Sequence, residues 1–435
     1  MQPAARAELV ALDRRHVWNP YTSADVWEQT EPLVITRADG ARLFDADGTS
    51  YLDGNASWWT ASLGHGHPRV LRALAAQAST LAHCALAGIT HEPAARLAAE
   101  LSAVAPSGLN RVFYTDNGST AIECAVKMAI QAHAQRGEPQ RTRFVALDGA
   151  FHGDTVGAAS LGGVEVFRRP FAGVLFDCVR APSPAEGGHA RAFEAIEALV
   201  RDDPGSVAAV VVEPIVQGAA GMQIYAPDYL KALAALTRDV GALLVVDEVF
   251  TGFGRTGPMW ATEHAGVSPD LMCVGKALAY PIPMGAVLAT DAVFDAFRGP
   301  KDRALMYGHT FCGNPLGAAI AREVLAVYRD EAVLAGVAAK APAIAQAVAS
   351  LGAEPHVTGT RSLGMIGAVD LRPDAGGASG YLGARGWRVF EHARRRGVYL
   401  RPLGDTVYVC PPLTIGAGDL DTLLEVMCDG VRAVA

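Results

Sequence analysis

Runs of four to six apolar residues alternate with stretches of helical periodicity through the middle of this chain. Residues 242–246 (ALLVV) and 271–274 (LMCV) have the length and branched content of strands buried on both faces. RVFYT at 111–115, RFVAL at 143–147 and VAAVVV at 207–212 repeat the pattern, with helix-like segments at 68–74, 94–104 and 121–134. Such alternation from residue 68 to about 320 predicts an α/β fold, a mostly parallel sheet with helices on both faces.

On either side of that block the pattern changes. A polar opening helix leads to HVWNPYTS, then to two strand candidates, PLVITRADG and ARLFDADGTSYLDG, joined and closed by Asp-Gly turns. NASWWTASLGHGHP follows; adjacent Trp58 and Trp59 cannot share one side of a regular element, so one is expected to pack inward while the other lines a cavity or interface. Beyond about 320 come the end of a long helix (GAAIAREVLAVYRD), more Ala-rich helix, and short strands in LGMIGAVDL, VYLRPL and TVYVCPP. We expect three parts: 1–60, a segment contributing to the small domain; 61–320, a large domain; and 321–435, a small α+β domain. Loops at 155–190 and 299–309 are expected to shape the pocket.

Half of the 435 residues are hydrophobic, enough for a large core. A net charge of −8 without long charged blocks leaves no basic face for nucleic acid or an anionic membrane. No membrane-length apolar run is free of charge, and the first residues lack an apolar secretory region. Seven scattered cysteines, without a CxxC pair or a His/Cys cluster at metal spacing, read as reduced thiols of a cytoplasmic enzyme that binds no metal. His65 and His67, in a Gly/Pro turn, have no acidic or cysteine neighbour in sequence and are not expected to bind one either.

Polar residues that a core would not choose collect where the apolar strands end: Asp116 to Thr120, Phe151 to Asp154, Glu213 with Gln217, Asp247, and Lys276. In an α/β sheet these fall on the edge that binds ligands. Gly118-Ser119-Thr120 opens a helix and offers free N–H groups to a phosphate, or is an ordinary N-cap. Lys276 is either a reactive amine or a snorkelling surface lysine, and Asp247 either a functional carboxylate or a turn cap. Taken together, a lysine, a strand-end aspartate and a phosphate site point to pyridoxal 5′-phosphate. The amine condenses with its aldehyde, the ring acts as an electron sink, and a carboxylate keeps the pyridine nitrogen protonated.

VVDEVFTGFGRTG, with Lys276 29 residues after Asp247, resembles the class III pyridoxal-phosphate aminotransferases of fold type I. DNGST, FHGDT, EPIVQGAAGM and GHTFCGNPLG extend the resemblance over nearly the whole chain. It implies a fold type I enzyme in which Lys276 bonds to the cofactor and moves protons, and Asp247 pairs with the pyridine nitrogen. Gly118 and Ser119 would bind the phosphate and Phe151 would stack on the ring, with His152, Glu213 and Gln217 as further cofactor support. Thr310 would reach the phosphate of a neighbouring subunit, which implies a homodimer with shared sites.

Within the class, HVWNPYT, SWW at 57–59, HGDT with Asp154, and YLRPLGDTVYVCPP are similar to the branch that transaminates 8-amino-7-oxononanoate in biotin biosynthesis, with S-adenosyl-L-methionine as donor. That likeness implies a channel lined by Tyr21 and Trp58, Asp154 facing the substrate amine, and Arg401 holding the distant carboxylate. Trp59 and Tyr408 would belong to the same pocket, and Arg255, shared by the wider family, would support it. Phe151 stands where this branch usually has tyrosine, and His309 where its adenosylmethionine users have proline. Lysine therefore stays open as donor. The other readings of the class are an ω-amino acid or diamine aminotransferase and a glutamate-semialdehyde-type aminomutase. A pyridoxal-phosphate-binding regulator would normally add a basic helix-turn-helix, which is not evident here.

Overall fold

The computed structural model describes residues 2–185 and 188–434. Met1, Glu186, Gly187 and Ala435, which fall within the expected segments 1–60, 155–190 and 321–435, lie outside the described residues. The first strands are β1 (Ile35–Asp39), β2 (Arg42–Asp45) and β3 (Ser50–Asp53). Asp47 and Gly48 turn β2 back into β3, with Gly48 at φ 89°, so the second strand candidate is a hairpin of two strands.

Next come β4 (Arg111–Thr115), β5 (Arg143–Leu147), β6 (Cys178–Ala181), β7 (Val207–Val212), the two-residue strands β8 (Val216–Gln217) and β9 (Gln223–Ile224), then β10 (Leu243–Asp247), β11 (Leu271–Val274) and β12 (Gly285–Ala289). All but β8 and β9 form one sheet, in the order β4-β12-β11-β10-β7-β5-β6. Only β12 runs against the others, pairing antiparallel with β11 and β4. The carboxyl ends of the remaining six therefore open on one edge. Successive residues of the central strands enter different cores: Val210, Val212, Leu244 and Val246 pack on one face, Ala209, Val211, Leu243 and Val245 on the other. Covering both faces is what lets these strands be continuously apolar.

The C-terminal strands are β13 (Val357–Leu363), β14 (Ile366–Leu371), β15 (Val398–Tyr399) and β16 (Thr406–Val409). β13, β14 and β16 form an antiparallel sheet, whereas β15 pairs in parallel with β3 and so ties the first strands to the last third of the chain. LGMIGAVDL, read as one strand, is broken by Gly364, which turns β13 into β14; its φ is 58°, and a Cβ there would lie 2.4 Å from the backbone of Thr256. VYLRPL forms only the two residues of β15.

One stretch among the described residues, Val333–Ala353, is long and apolar enough to cross a membrane by length and composition. Nine of its 21 residues are alanine, and it carries Lys340. The larger residues Val333, Val337, Ile344 and Val348 are buried in the main core, on the side where the helix meets β13 and β14. Lys340 Nζ donates to the carbonyls of Leu413 and Ile415 at 2.5 and 3.2 Å.

Candidate active site

Asp247 is the last residue of β10, and Lys276 stands two residues beyond β11, its parallel neighbour. Both reach a cavity of about 760 Å³ at the carboxyl edge of the sheet. Gly118, Ser119, Phe151, His152 and Glu213 line it around them, and Tyr21, Trp58, Trp59 and Asp154 complete it. The chain turns into Lys276 with a left-handed backbone, φ 46°, which is uncommon for a residue with a side chain. Its Nζ lies 4.5 Å from the Trp59 ring and 5.6 Å from that of Phe250. Burial lowers its pKa, against the pull of Asp247 and Glu213, and so favours the free, nucleophilic amine.

Asp247 is held from two sides. His152 Nδ1 is 2.8 Å from its Oδ2, and the Val249 N–H donates to Oδ1 at 3.0 Å. Burial opposes the charged form of His152, but the hydrogen bond and charge of Asp247 outweigh it and the pKa is raised. Glu213 accepts from the backbone N–H groups of Phe151 and Gly218 at 3.0 and 2.9 Å, while burial pushes its carboxyl up to about 7.

The helix Gly118–Gln135 begins on the cavity. Asn117 caps it in a reciprocal pair with Thr120, whose side chain is engaged there; Gly118 and Ser119 remain on the cavity side. A Cβ on Gly118 would lie 2.5 Å from Val249 Cγ1, so only glycine fits. A half-buried amine, a carboxylate oriented by histidine, an aromatic ring and a bare helix start at one cavity fit pyridoxal phosphate well.

Another wall of the cavity is built on an unusual turn. Ala56, Ser57, Trp58 and Trp59 are all left-handed, with φ of 46°, 45°, 64° and 72°. Each such residue costs about 1–2 kcal/mol relative to the right-handed form, and side chains secure the turn. Ser57 Oγ donates to Asp53 at 2.7 Å, Asn55 Oδ1 accepts from the Arg401 N–H at 2.6 Å, and Trp59 Nε1 donates to the Tyr408 hydroxyl at 3.1 Å. Because of this turn both tryptophans line the cavity, Trp59 at 6% exposure and Trp58 at 41%. Trp59 is thus the one that packs inward and Trp58 the one left open, as expected of the pair, and the inward one reaches the cavity as well. Tyr21 hydrogen-bonds Asp154 and packs edge-on to Trp58, with ring centroids 5.3 Å apart. Burial and that hydrogen bond push the Tyr21 pKa upward, so the phenol stays protonated.

Several residues expected at the site stand outside this cavity. Arg401 and Tyr408 line a second one of about 340 Å³, and Trp58 is a wall of both. The Arg401 guanidinium is 5.1 Å from the Trp58 ring and 5.5 Å from that of Trp387. Tyr408 reaches the Lys276 cavity only through Trp59. Gln217 is spent on Ser183 and the Asp148 carbonyl, Arg255 donates to the Pro411 carbonyl, and Thr310 is exposed and does not line the cavity of its own chain. Conversely, Phe167, Tyr280 and Tyr381 line the cavity without having been singled out. Phe167 does lie in the loop expected to shape the pocket, but its neighbours carry no periodic signal.

Residues 23–431 match the model of the family Aminotransferase class-III, and the chain belongs to that family, whose members are pyridoxal-phosphate-dependent enzymes. Among its relatives, the chain is 42% identical to an adenosylmethionine-8-amino-7-oxononanoate aminotransferase of Synechococcus elongatus, over 95% of this chain and 98% of the relative. The crystal structure of the enzyme of that name from Methanocaldococcus jannaschii superposes with a TM-score of 0.94 at 31% identity, covering 98% of this chain and 99% of the other. An omega transaminase from Pseudomonas jessenii, in complex with PMP, is similar at a TM-score of 0.92 and 28% identity, over 98% of both chains. Fold and cofactor are thereby those of fold type I pyridoxal-phosphate aminotransferases.

Proposed function

We propose that this aminotransferase moves an amino group from S-adenosyl-L-methionine to the ketone of 8-amino-7-oxononanoate, giving 7,8-diaminononanoate for biotin biosynthesis. One observation carries the reading: Trp58 and the Tyr21–Asp154 pair share a cavity with Lys276, and Arg401 waits behind Trp58. That arrangement offers an apolar channel, an acid for an amine and a cation for a far carboxylate. It is supported by the relatives of that name at up to 42% identity.

Pyridoxal phosphate, when bound, supplies the aldehyde that takes up the amino group and a ring that draws off carbanion charge. Lys276 anchors it and carries at Nζ the proton taken from the donor carbon. Asp247, steadied by His152, would pair with the pyridine nitrogen, Phe151 would stack on the ring, and Gly118 and Ser119 would bind the phosphate; Glu213 holds the Phe151 backbone N–H. Trp59, supported by Tyr408, closes the inner wall. Thr310 serves the phosphate site of a second copy, so the working unit is a homodimer in which residues 61–320 bind cofactor and both ends of the chain complete the substrate side. Its setting is the cytoplasm, without nucleic-acid or membrane partners.

The test is turnover on a panel of acceptors with adenosylmethionine and, separately, lysine as donor. Product from 8-amino-7-oxononanoate alone supports the reading, and lysine as the sole working donor would replace the donor while keeping the acceptor. Turnover of pyruvate and none of 8-amino-7-oxononanoate would make the chain an ω-amino acid aminotransferase instead.

A further inference from the structure

We propose that Asp53 is a positioning residue of the transamination site, holding the tryptophan turn through Ser57 and the segment that follows Lys276 through His65 and Tyr280. Asp53 ends β3 at 1% exposure, and its Oδ2 receives both arms. Ser57 Oγ donates to it at 2.7 Å, and His65 Nε2 lies 2.9 Å away. On its other side the buried His65 ring meets the Tyr280 hydroxyl, with Nδ1 to oxygen at 2.6 Å. A carboxylate only accepts, so Nε2 carries the imidazole proton, and Nδ1 accepts from the Tyr280 O–H.

One arm ends on strained backbone and the other close to it, since Tyr280 follows the left-handed Lys276 by four residues. Ser57 belongs to the left-handed turn that brings Trp58 and Trp59 to the cavity, and Lys276 is itself left-handed. Conformations of this kind persist where the surroundings hold them. Tyr280 lines the same cavity four residues after Lys276, and the intervening chain is closed by hydrogen bonds from Leu278 N–H to the Gly275 carbonyl and from Ile282 N–H to the Ala279 carbonyl. An anchor at Tyr280 is therefore felt at Lys276. His65 is fixed in turn by two backbone hydrogen bonds with Gly40, at 2.7 and 2.9 Å. A Cβ on Gly64 would come within 2.8 Å of the Gly40 carbonyl oxygen. The GHGHP turn thus earns its glycine and histidine together. One buried carboxylate sets the spacing between the wall that meets substrate and the lysine that meets cofactor.

The inference rests on Lys276 as the cofactor lysine, and the experiment separates the two. Ser57→Ala and Tyr280→Phe each cut one arm with little change of volume, and Asp53→Asn weakens both. Ser57→Ala should raise KM for the acceptor about tenfold while kcat falls less than about twofold; Tyr280→Phe should slow the donor half-reaction about tenfold with KM nearly unchanged. A second readout needs no turnover: the pH midpoint of the visible absorbance of the cofactor-loaded protein. The groups that bear on Lys276 are Asp247, Glu213 and Cys410, and Asp53 bears on Tyr280; neither single variant alters any of the four. A midpoint that moves further in Tyr280→Phe than in Ser57→Ala, which reaches Lys276 only through the Trp59 ring, therefore reports displacement of Lys276. Equal losses in both variants that follow the thermal midpoint, or no change in either, would reduce Asp53 to a structural carboxylate. Retention of the absorbance band by Lys276→Ala would overturn the lysine assignment, and the inference with it.

Discussion

Lys276 differs from a surface lysine in three respects that share one origin. Its position just past a buried strand shields it partly from water, turns its backbone left-handed and sets its amine beside two rings. Replacing it by alanine should abolish the borohydride-stable cofactor adduct seen by mass spectrometry and lower transamination by at least about 10²–10⁴-fold, the usual worth of a positioned proton carrier. At the other end, Arg401→Ala should raise KM for a carboxylate acceptor about 10- to 100-fold, as expected for a lost charge-assisted hydrogen bond, and leave the methyl ester of that acceptor nearly unaffected. A KM that rises equally for acid and ester would mean that Arg401 only props Trp58. Strand-end polar residues such as Asp247 and Lys276 are legible in sequence because burial makes them costly without a task. The tie between Trp59 and Tyr408 is not, because it joins residues 349 apart in the chain.

At the scale of elements, continuously apolar strands were readable because a sheet covered on both faces admits nothing else. β6 escaped since its residues are half exposed at the sheet edge, and β12 since GAVLA follows a proline-rich turn. The left-handed turn at 56–59 carries no glycine, the usual sign of such backbone, so only the structure shows how adjacent tryptophans share a cavity. Gly285, the first residue of β12, has the opposite character: a Cβ there would lie 2.3 Å from the Asn117 carbonyl oxygen, beside the helix start that faces the cavity. Gly285→Ala should weaken cofactor binding and lower the thermal midpoint together, measured by equilibrium dialysis and calorimetry. Just past β10, Glu248 is fully buried, and burial pushes its carboxyl up from 4.5 to about 7. A raised folded-state pKa in an acid means stability that is full below pH 4.5 and lost as pH rises toward 7. The cofactor-free protein should therefore lose up to roughly 3 kcal/mol from this group across that window, and Glu248→Gln should flatten the curve in pH-dependent denaturant melts.

For the whole molecule, the alternation of strands and helices declared the α/β architecture, but not the pairing of β3 with β15, which joins residues far apart in the chain. That pairing brings Asp53 beside Tyr399 and Arg401 close to Asn55, so the region around the tryptophan turn is assembled from both ends of the chain. Thr310 is exposed and does not line the cavity of its own chain, and a shared-site dimer makes a specific prediction for it. Thr310→Ala should lower cofactor affinity about tenfold, the worth of a hydrogen bond to a charged group, in a particle of twice the 45.5 kDa chain mass. Mixed dimers of Thr310→Ala with Lys276→Ala should regain tight binding in one site, where both residues are intact. Recovery of none would place each phosphate site within one chain.

The most direct test of the account is a single half-reaction. The protein, loaded with pyridoxal phosphate, is mixed with S-adenosyl-L-methionine in the absence of any acceptor, and the absorbance of the bound cofactor is followed as its aldehyde form gives way to its amine form. The account predicts conversion by adenosylmethionine and full return of the original band when 8-amino-7-oxononanoate is added. A cofactor that adenosylmethionine leaves unchanged, or an amine form that 8-amino-7-oxononanoate does not discharge, would contradict it.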